Sequence, residues 1–272
     1  MKTKGTTYNT GIFYVIAEGL RFVVQLNGPQ DAPVVMLSNS LSCDMSMWDE
    51  QVGLWGDRFR ILRYDQRGHG NSGAPNSPWS IDQLGFDAVA ILDALDIRRV
   101  HWCGVSLGSM TGMWMAINAP DRINRLVLAN TAAHMGPPSL WDNRVAMALQ
   151  GGMTAVSGPT IERWFPTHFR HAAPETMRRM LEMVERTPVA GYVGCCLAIR
   201  DMDLREHLNV IKSDTLVIIG SRDPATLPEQ GMFIADRIAN AQVQVLDVGH
   251  ISNVEKPDQF AALVARFLES DV

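Results

Sequence analysis

The sequence predicts an α/β fold: a mostly parallel, eight-stranded sheet flanked by helices, with a helical insertion. Three observations predict it. Short apolar runs alternate with stretches of helical period, a Gly-x-Ser-x-Gly pentapeptide stands where one run turns into a helix, and the alternation breaks between about Ala132 and Arg205. Strands that alternate with helices build parallel sheets, because each return to the next strand crosses over through a helix. At 272 residues and 46% hydrophobic, the chain is long and apolar enough to bury a large core.

The elements follow in order. Ile12–Ala17 and Leu20–Gln25 are two strand-like runs joined at Glu18-Gly19, the pattern of a hairpin at an antiparallel edge. After the Asn27-Gly28-Pro29 breaker, Pro33–Leu37 is continuously apolar, as a strand covered on both faces is. A loop, Ser38–Ser42, leads toward Trp48, and Phe59–Tyr64 is the next strand. It ends in Asp65-Gln66-Arg67-Gly68-His69-Gly70-Asn71-Ser72, where glycines at 68, 70 and 73 mark a tight turn. Leu84, Ala88, Ile91, Leu92 and Leu95 form one stripe of an amphipathic helix. Strand Val100–Gly104, a helix through Ile117 and strand Arg125–Ala129 come next.

From 132 to 205 the chain reads as several short helices anchored by Trp141, Met147, Trp164, Phe165, Met180 and Leu181. The alternation resumes with Thr215–Ile219, Val243–Leu246 and a last helix striped by Phe260, Leu263, Val264, Phe267 and Leu268. The expected organisation is a core domain of residues 1–131 and 206–272, with residues 132–205 inserted as a lid.

Composition narrows the function. The net charge of −5 comes without a basic stripe, so nothing supports a nucleic-acid groove. No run is long enough for a membrane span, and Met1–Gly11 lacks the apolar core of a signal peptide, which makes the cytoplasm the expected location. Cys43, Cys103, Cys195 and Cys196 have neither zinc spacing nor the density of a disulfide framework, and are expected to be reduced, packed thiols.

The chemistry begins at Gly104-Val105-Ser106-Leu107-Gly108. Small residues at both ends permit a turn sharp enough to hold the central serine above the sheet, with the following N–H free. Ser106 is thus the candidate nucleophile. A serine hydroxyl needs a base, usually histidine, oriented by a carboxylate. In this topology the acid and then the histidine follow the serine in sequence. Asp223 follows the strand Thr215–Ile219, and His250 follows Val243–Leu246, both just beyond strand C-termini. Either residue alone reads as an ordinary loop residue; all three in this order form a triad, with Asp247 as the fallback acid. The oxyanion donors expected are the N–H of Leu107 and, by spacing to Trp48, that of Leu41, with Ser40 and Ser42 one register away.

Together the elbow at Ser106, the Asp65–Ser72 turn, Asp223 and Gly249-His250 resemble the α/β-hydrolase family over nearly the whole chain. Within it, Leu37-Ser38-Asn39-Ser40-Leu41, Leu62-Arg63-Tyr64-Asp65, Leu128-Ala129-Asn130-Thr131-Ala132-Ala133, Gly191-Tyr192-Val193-Gly194-Cys195-Cys196, Asp223-Pro224-Ala225-Thr226 and Ser252-Asn253-Val254-Glu255 resemble the 3-oxoadipate enol-lactonases. Asn39-Ser40 stands where many family members carry His-Gly, a departure the enol-lactonases share. Ser109 stands where a second glycine is commoner, and is expected to narrow the pocket floor. Asn130 argues against a relocated acid at that position. A serine nucleophile argues against the dehalogenases, which use aspartate, and the dienelactone hydrolases, which use cysteine.

The resemblance implies lactone hydrolysis through an acyl-enzyme, without metal or organic cofactor, in aromatic-compound breakdown by the β-ketoadipate pathway. It also implies a small lactone or ester substrate bearing a free carboxylate, for which an arginine fork is the natural partner. Arg144 and Arg200 are the candidates, with Trp141 as a pocket wall and Arg67 as a staple for the loop beside the elbow. Fold and triad do not fix the substrate. Another carboxylesterase, lactonase or carbon–carbon bond hydrolase fits the same scaffold, as does a ligand receptor that keeps the pocket, although filled catalytic positions weigh against the receptor.

Overall fold

Strand pairing begins at one edge. In the computed structural model, which describes residues 11–17, 19–75 and 78–270, β1 (Ile12–Ala17) pairs antiparallel with β2 (Leu20–Asn27), Ala17 opposite Leu20. This is the expected hairpin; Glu18 of its turn and residues 1–10 of the polar N-terminal stretch lie outside the described residues. Val15 and Ala17 face the core while Ile12, Tyr14 and Ile16 face outward, the alternation of a strand covered on one side.

The sheet continues through β3 (Val34–Ser38), β4 (Arg60–Tyr64), β5 (Val100–Val105), β6 (Ile123–Ala129), β7 (Asp214–Gly220) and β8 (Ala241–Leu246). The eight strands lie in the order β1-β2-β4-β3-β5-β6-β7-β8, with β2 antiparallel to both neighbours and β4 through β8 mutually parallel. Every residue of β5 is buried, which requires cover on both faces.

The helices are α1 (Asp49–Trp55), α2 (Ile81–Ala94), α3 (Leu107–Asn118), α4 (Pro138–Trp164), α5 (Thr167–Ala172), α6 (Pro174–Arg186), α7 (Val189–Asp201), α8 (Pro228–Ala235), α9 (Ser252–Glu255) and α10 (Pro257–Glu269). α2 packs with α3 and α1 with α10, and the Trp55 Nε1–H donates to Ala261 O across the latter pair. α2 starts at a capping box in which Ser80 and Gln83 satisfy each other's backbone N–H. Neither α1 nor α8 is announced by the sequence pattern: each spans about two turns, too short for a stripe to repeat.

Because β3 through β8 are parallel, Ser38, Val105, Ala129, Gly220 and Leu246 all end at one edge. The loops that leave this edge carry Leu41, Ser106, Asp223 and His250. Between the paired strands β6 and β7 the chain departs through α4–α7, with α6 and α7 packed on α4. α4 is broken at Gly152, whose φ of 66° leaves the helical region, so it is two helical pieces end to end. The excursion closes where it began, with Leu204 N–H donating to Ala133 O at 2.8 Å and a bridge between His134 and Asp203.

Candidate active site

Two glycines make the elbow. A Cβ on Gly104 would overlap the Gly108 carbonyl group, and one on Gly108 would overlap the Ser38 carbonyl at the end of β3. Ser106 sits between them at φ 55° and ψ −115°, a strained position for a non-glycine residue, as the first residue before α3. Its backbone is fixed on both sides, the N–H donating to Ala129 O at 2.9 Å and the C=O accepting from Thr131 Oγ1 at 3.0 Å. Ser109 does not line the cavity: its hydroxyl donates to Gly104 O at 2.7 Å and accepts from Ala129 N–H at 3.0 Å, and so ties β5 to β6 instead.

The acid and base meet as the strand order predicts. His250 Nδ1 lies 2.8 Å from Asp223 Oδ2, and both side chains are almost fully buried. The same Oδ2 accepts from Thr226 Oγ1 at 2.7 Å and Asn130 Nδ2 at 3.1 Å, while Oδ1 accepts from the N–H groups of Ala225 and Thr226. Burial pushes the Asp223 carboxyl up, but the charge of His250 and the hydrogen bonds from His250 and Thr226 outweigh it and hold the group below its ordinary value. An ionised carboxylate only accepts, so His250 Nδ1 donates and its Nε2 keeps the lone pair a general base needs.

The peptide that carries this histidine is held at three points. Gly249 N–H donates to Glu255 Oε2, Gly249 O accepts from Asn130 Nδ2, and His250 N–H donates to Trp164 O at the end of α4. Asn130, which the sequence shows only as a position lacking an acid, thus braces both Asp223 and the histidine loop. Asp247 is no substitute acid: it is exposed and ion-paired with Arg222.

Ser106 and His250 line one cavity together with Ser40, Leu41, Ser42, Met110, Met135, Trp141, Arg144, Thr160, Arg163, Trp164, Tyr192, Ile199, Ala225 and Thr226. Among the described residues neither the Leu41 nor the Leu107 N–H has a hydrogen-bond acceptor, whereas the Ser42 N–H donates to His69 Nε2 at 3.0 Å. That occupied amide removes Ser42 as a backbone donor to a ligand.

The cationic side of the cavity differs from expectation in one residue. Arg144 lines it, stacked over the Trp141 ring at 4.4 Å, and the Trp141 indole N–H is fixed on Met135 O. Arg200 does not line it: its guanidinium is spent on Asp201 and Asp142 at 2.7–2.9 Å. Its place is taken by Arg163, near the end of α4. Among the described residues Arg163 and Arg144 make no ion pair, and the hydrogen bond of Arg163 goes to the neutral Thr160 Oγ1. Burial, then repulsion by Arg144, pulls the Arg163 guanidinium down to about 10. The sequence does hold a signal for it: neither arginine has Asp or Glu three or four residues away, while Arg200 has Asp203.

Arg67 is a staple, but to α2, with a buried bidentate pair to Asp87 at 2.6 Å. All four cysteines are free and buried, and burial raises each thiol, which leaves no thiolate nucleophile among them. No group of three or more His, Cys, Asp or Glu side chains among the described residues is placed to hold a metal ion, and no described helix is long and apolar enough to cross a membrane.

Comparison with known proteins adds three findings. A family profile for the alpha/beta hydrolase fold matches residues 33–257. Two curated relatives from Acinetobacter baylyi are named 3-oxoadipate enol-lactonase: one is 38% identical over 86% of this chain and 87% of its own, the other 35% over 93% and 95%. The crystal structure of the enol-lactonase from Burkholderia xenovorans superposes with a TM-score of 0.93 at 39% identity, covering 95% of this chain and all of that one.

Proposed function

The chain belongs to the alpha/beta hydrolase fold family, and from that premise we propose that it is a serine hydrolase that opens 3-oxoadipate enol-lactone to 3-oxoadipate, in the cytoplasm, within the β-ketoadipate route of aromatic breakdown. The observation that carries this reading is one cavity that holds Ser106 and His250 together with Arg144 and Arg163, two guanidinium groups without a carboxylate partner among the described residues. The enol-lactone brings an ester carbonyl for the first pair and a free carboxylate for the second.

His250 Nε2 takes the Ser106 proton as the hydroxyl attacks the lactone carbonyl, and Asp223 stabilises the imidazolium through Nδ1–H. The tetrahedral oxyanion points at the N–H groups of Leu107 and Leu41. Collapse expels the ring oxygen as an enol, which takes its proton from His250 and relaxes to the ketone. Water then enters, gives a proton to the same histidine, and releases the acyl chain from Ser106. Residues 132–205 act as the lid: α4 brings Arg144, Arg163 and Trp141 to the pocket that holds the nucleophile.

The test is steady-state hydrolysis of freshly generated enol-lactone beside an uncharged five-membered lactone and a short aryl ester, with Ser106→Ala as the blank. We expect kcat/KM of about 10⁵ M⁻¹s⁻¹ or more on the enol-lactone, far above the neutral lactone. Brisk ester hydrolysis with slow enol-lactone turnover would retain the triad and remove the substrate assignment.

A further inference from the structure

The turn Asp65–Ser72 takes no part in the chemistry above, yet it grips the loop that presents Leu41. Asp65 Oδ1 accepts from Met45 N–H at 2.8 Å, Asn39 Nδ2 donates to Tyr64 O at 2.9 Å, and His69 Nε2 accepts from Ser42 N–H at 3.0 Å. The third contact is the unusual one. A histidine that accepts a backbone N–H must be neutral and must carry its proton on the other nitrogen, and here that nitrogen, Nδ1, lies 3.1 Å from Arg67 O, an atom that can only accept. Arg67 is itself fixed by its bidentate pair with Asp87 on α2. A path of defined hydrogen bonds therefore runs from α2 through the turn to the peptide beside Leu41.

That peptide needs holding. Ser42 has φ 66°, the left-handed region that a serine adopts at a cost. Its N–H is taken by His69 and its C=O lies 3.3 Å from Thr187 Oγ1, at the end of α6. With both ends of Ser42 turned to fixed partners, the preceding amide, Leu41 N–H, is the one left without an acceptor beside Ser106. His69 is completely buried and does not line the cavity, so it touches no substrate.

We propose that His69 is a positioning residue for the oxyanion hole, its ring acting as the acceptor that fixes Ser42 and so aims the Leu41 N–H at the developing oxyanion. The inference rests on Leu41 being an oxyanion donor, and on serine hydrolysis, but not on which ester is the substrate. Loss of the acceptor leaves the substrate pocket intact and loosens only a contact that strengthens in the transition state.

The experiment compares wild type, His69→Phe and His69→Gln on a short aryl ester, and measures inhibition by an aryl trifluoromethyl ketone, whose adduct with Ser106 mimics the oxyanion. Removal of a whole oxyanion donor costs about 10²–10³ in kcat. Misplacing one is expected to lower kcat about 10- to 100-fold in His69→Phe, with KM changed less than about threefold and ketone affinity falling in step with kcat. His69→Gln, whose side-chain oxygen can accept, is expected to recover part of both. Folded His69→Phe with kcat and ketone affinity within about twofold of wild type would overturn the proposal. Ketone binding that disappears in Ser106→Ala establishes the serine chemistry separately, which confines such a failure to the link from His69 through Ser42 to Leu41. Nitrogen-15 spectra of histidine-labelled wild type give a test that needs no variant to fold: a neutral ring protonated on Nδ1 is expected, and a ring protonated on Nε2 overturns the assignment.

Discussion

Arg163 and Arg200 each stand one residue from the end of a helix in the same insertion, and their surroundings put one chemical group to opposite uses. Arg200 has Asp201 beside it and Asp142 across from it, so its charge is already neutralised at the surface. Arg163 has Arg144 for company and a threonine for a hydrogen-bond partner, so a carboxylate entering the cavity relieves a repulsion that already exists. Arg163→Gln should therefore lower kcat/KM for a carboxylate-bearing lactone about 10- to 100-fold and leave an uncharged aryl ester nearly unchanged. Arg200→Gln should leave both substrates within about twofold. The comparison of the two substrates in the two variants decides it: equal losses on both substrates in Arg163→Gln would mean a structural role only.

At the scale of elements, the site is an edge of the sheet plus what α4 lays over it. Gly108 is where the two conditions for the elbow collide, since α3 must start close enough to β3 for the Ser38 carbonyl to touch its first turn. Gly108→Ala should cost about 3 kcal/mol by overpacking and lower Tm by about 5–10 °C. A thermal melt checks this, and an alanine variant as stable as wild type would show that the elbow yields by shifting the backbone. The candidate triad is legible for a local reason: each member lies in a short motif just past a strand whose own apolar run announces it. Arg163 is legible only in part: the lack of an acid three or four residues away stands in the sequence, but the company of Arg144 in one cavity with Ser106 exists only once α4 folds over the sheet. The same limit applies to Arg200, whose partner Asp142 lies 58 residues away. Asn130 and His69 were visible as residues but not as braces, since their partners Gly249 and Ser42 are brought to them by strand order and by the turn.

The molecule as a whole buries histidines it must keep neutral, and this sets its response to acid. Burial pulls His69 down to about 4, against the hydrogen bond to Arg67 and the charge of Asp44. Burial, with Arg125 and Arg99, does the same to His101 at the other end of β5, also to about 4. In the unfolded chain both titrate near 6.5. Between about pH 6.5 and 4 the unfolded state therefore holds protons that the folded state refuses, and stability is full above that window and falls as pH drops through it, by up to about 1.4 kcal/mol per pH unit for each histidine. Asp65 works the other way. Burial, against hydrogen bonds from Asn71 and Met45, raises it to about 6, so between about pH 6 and 4 the folded state keeps a proton that the unfolded chain, with a carboxyl near 3.9, releases. It offsets roughly one histidine over that range. Asp223, held below its ordinary value, adds to the same loss only at the acid end of this range, where the unfolded carboxyl near 3.9 begins to take up a proton that the folded one refuses. The expected result is a net loss of about 1 kcal/mol per pH unit from these groups between pH 6 and 4, nearly abolished in His101→Gln, a site remote from Ser106 along β5. Urea unfolding of the two proteins at several pH values measures this directly, and parallel slopes would mean that His101 takes up its proton in the folded state as readily as in the unfolded one.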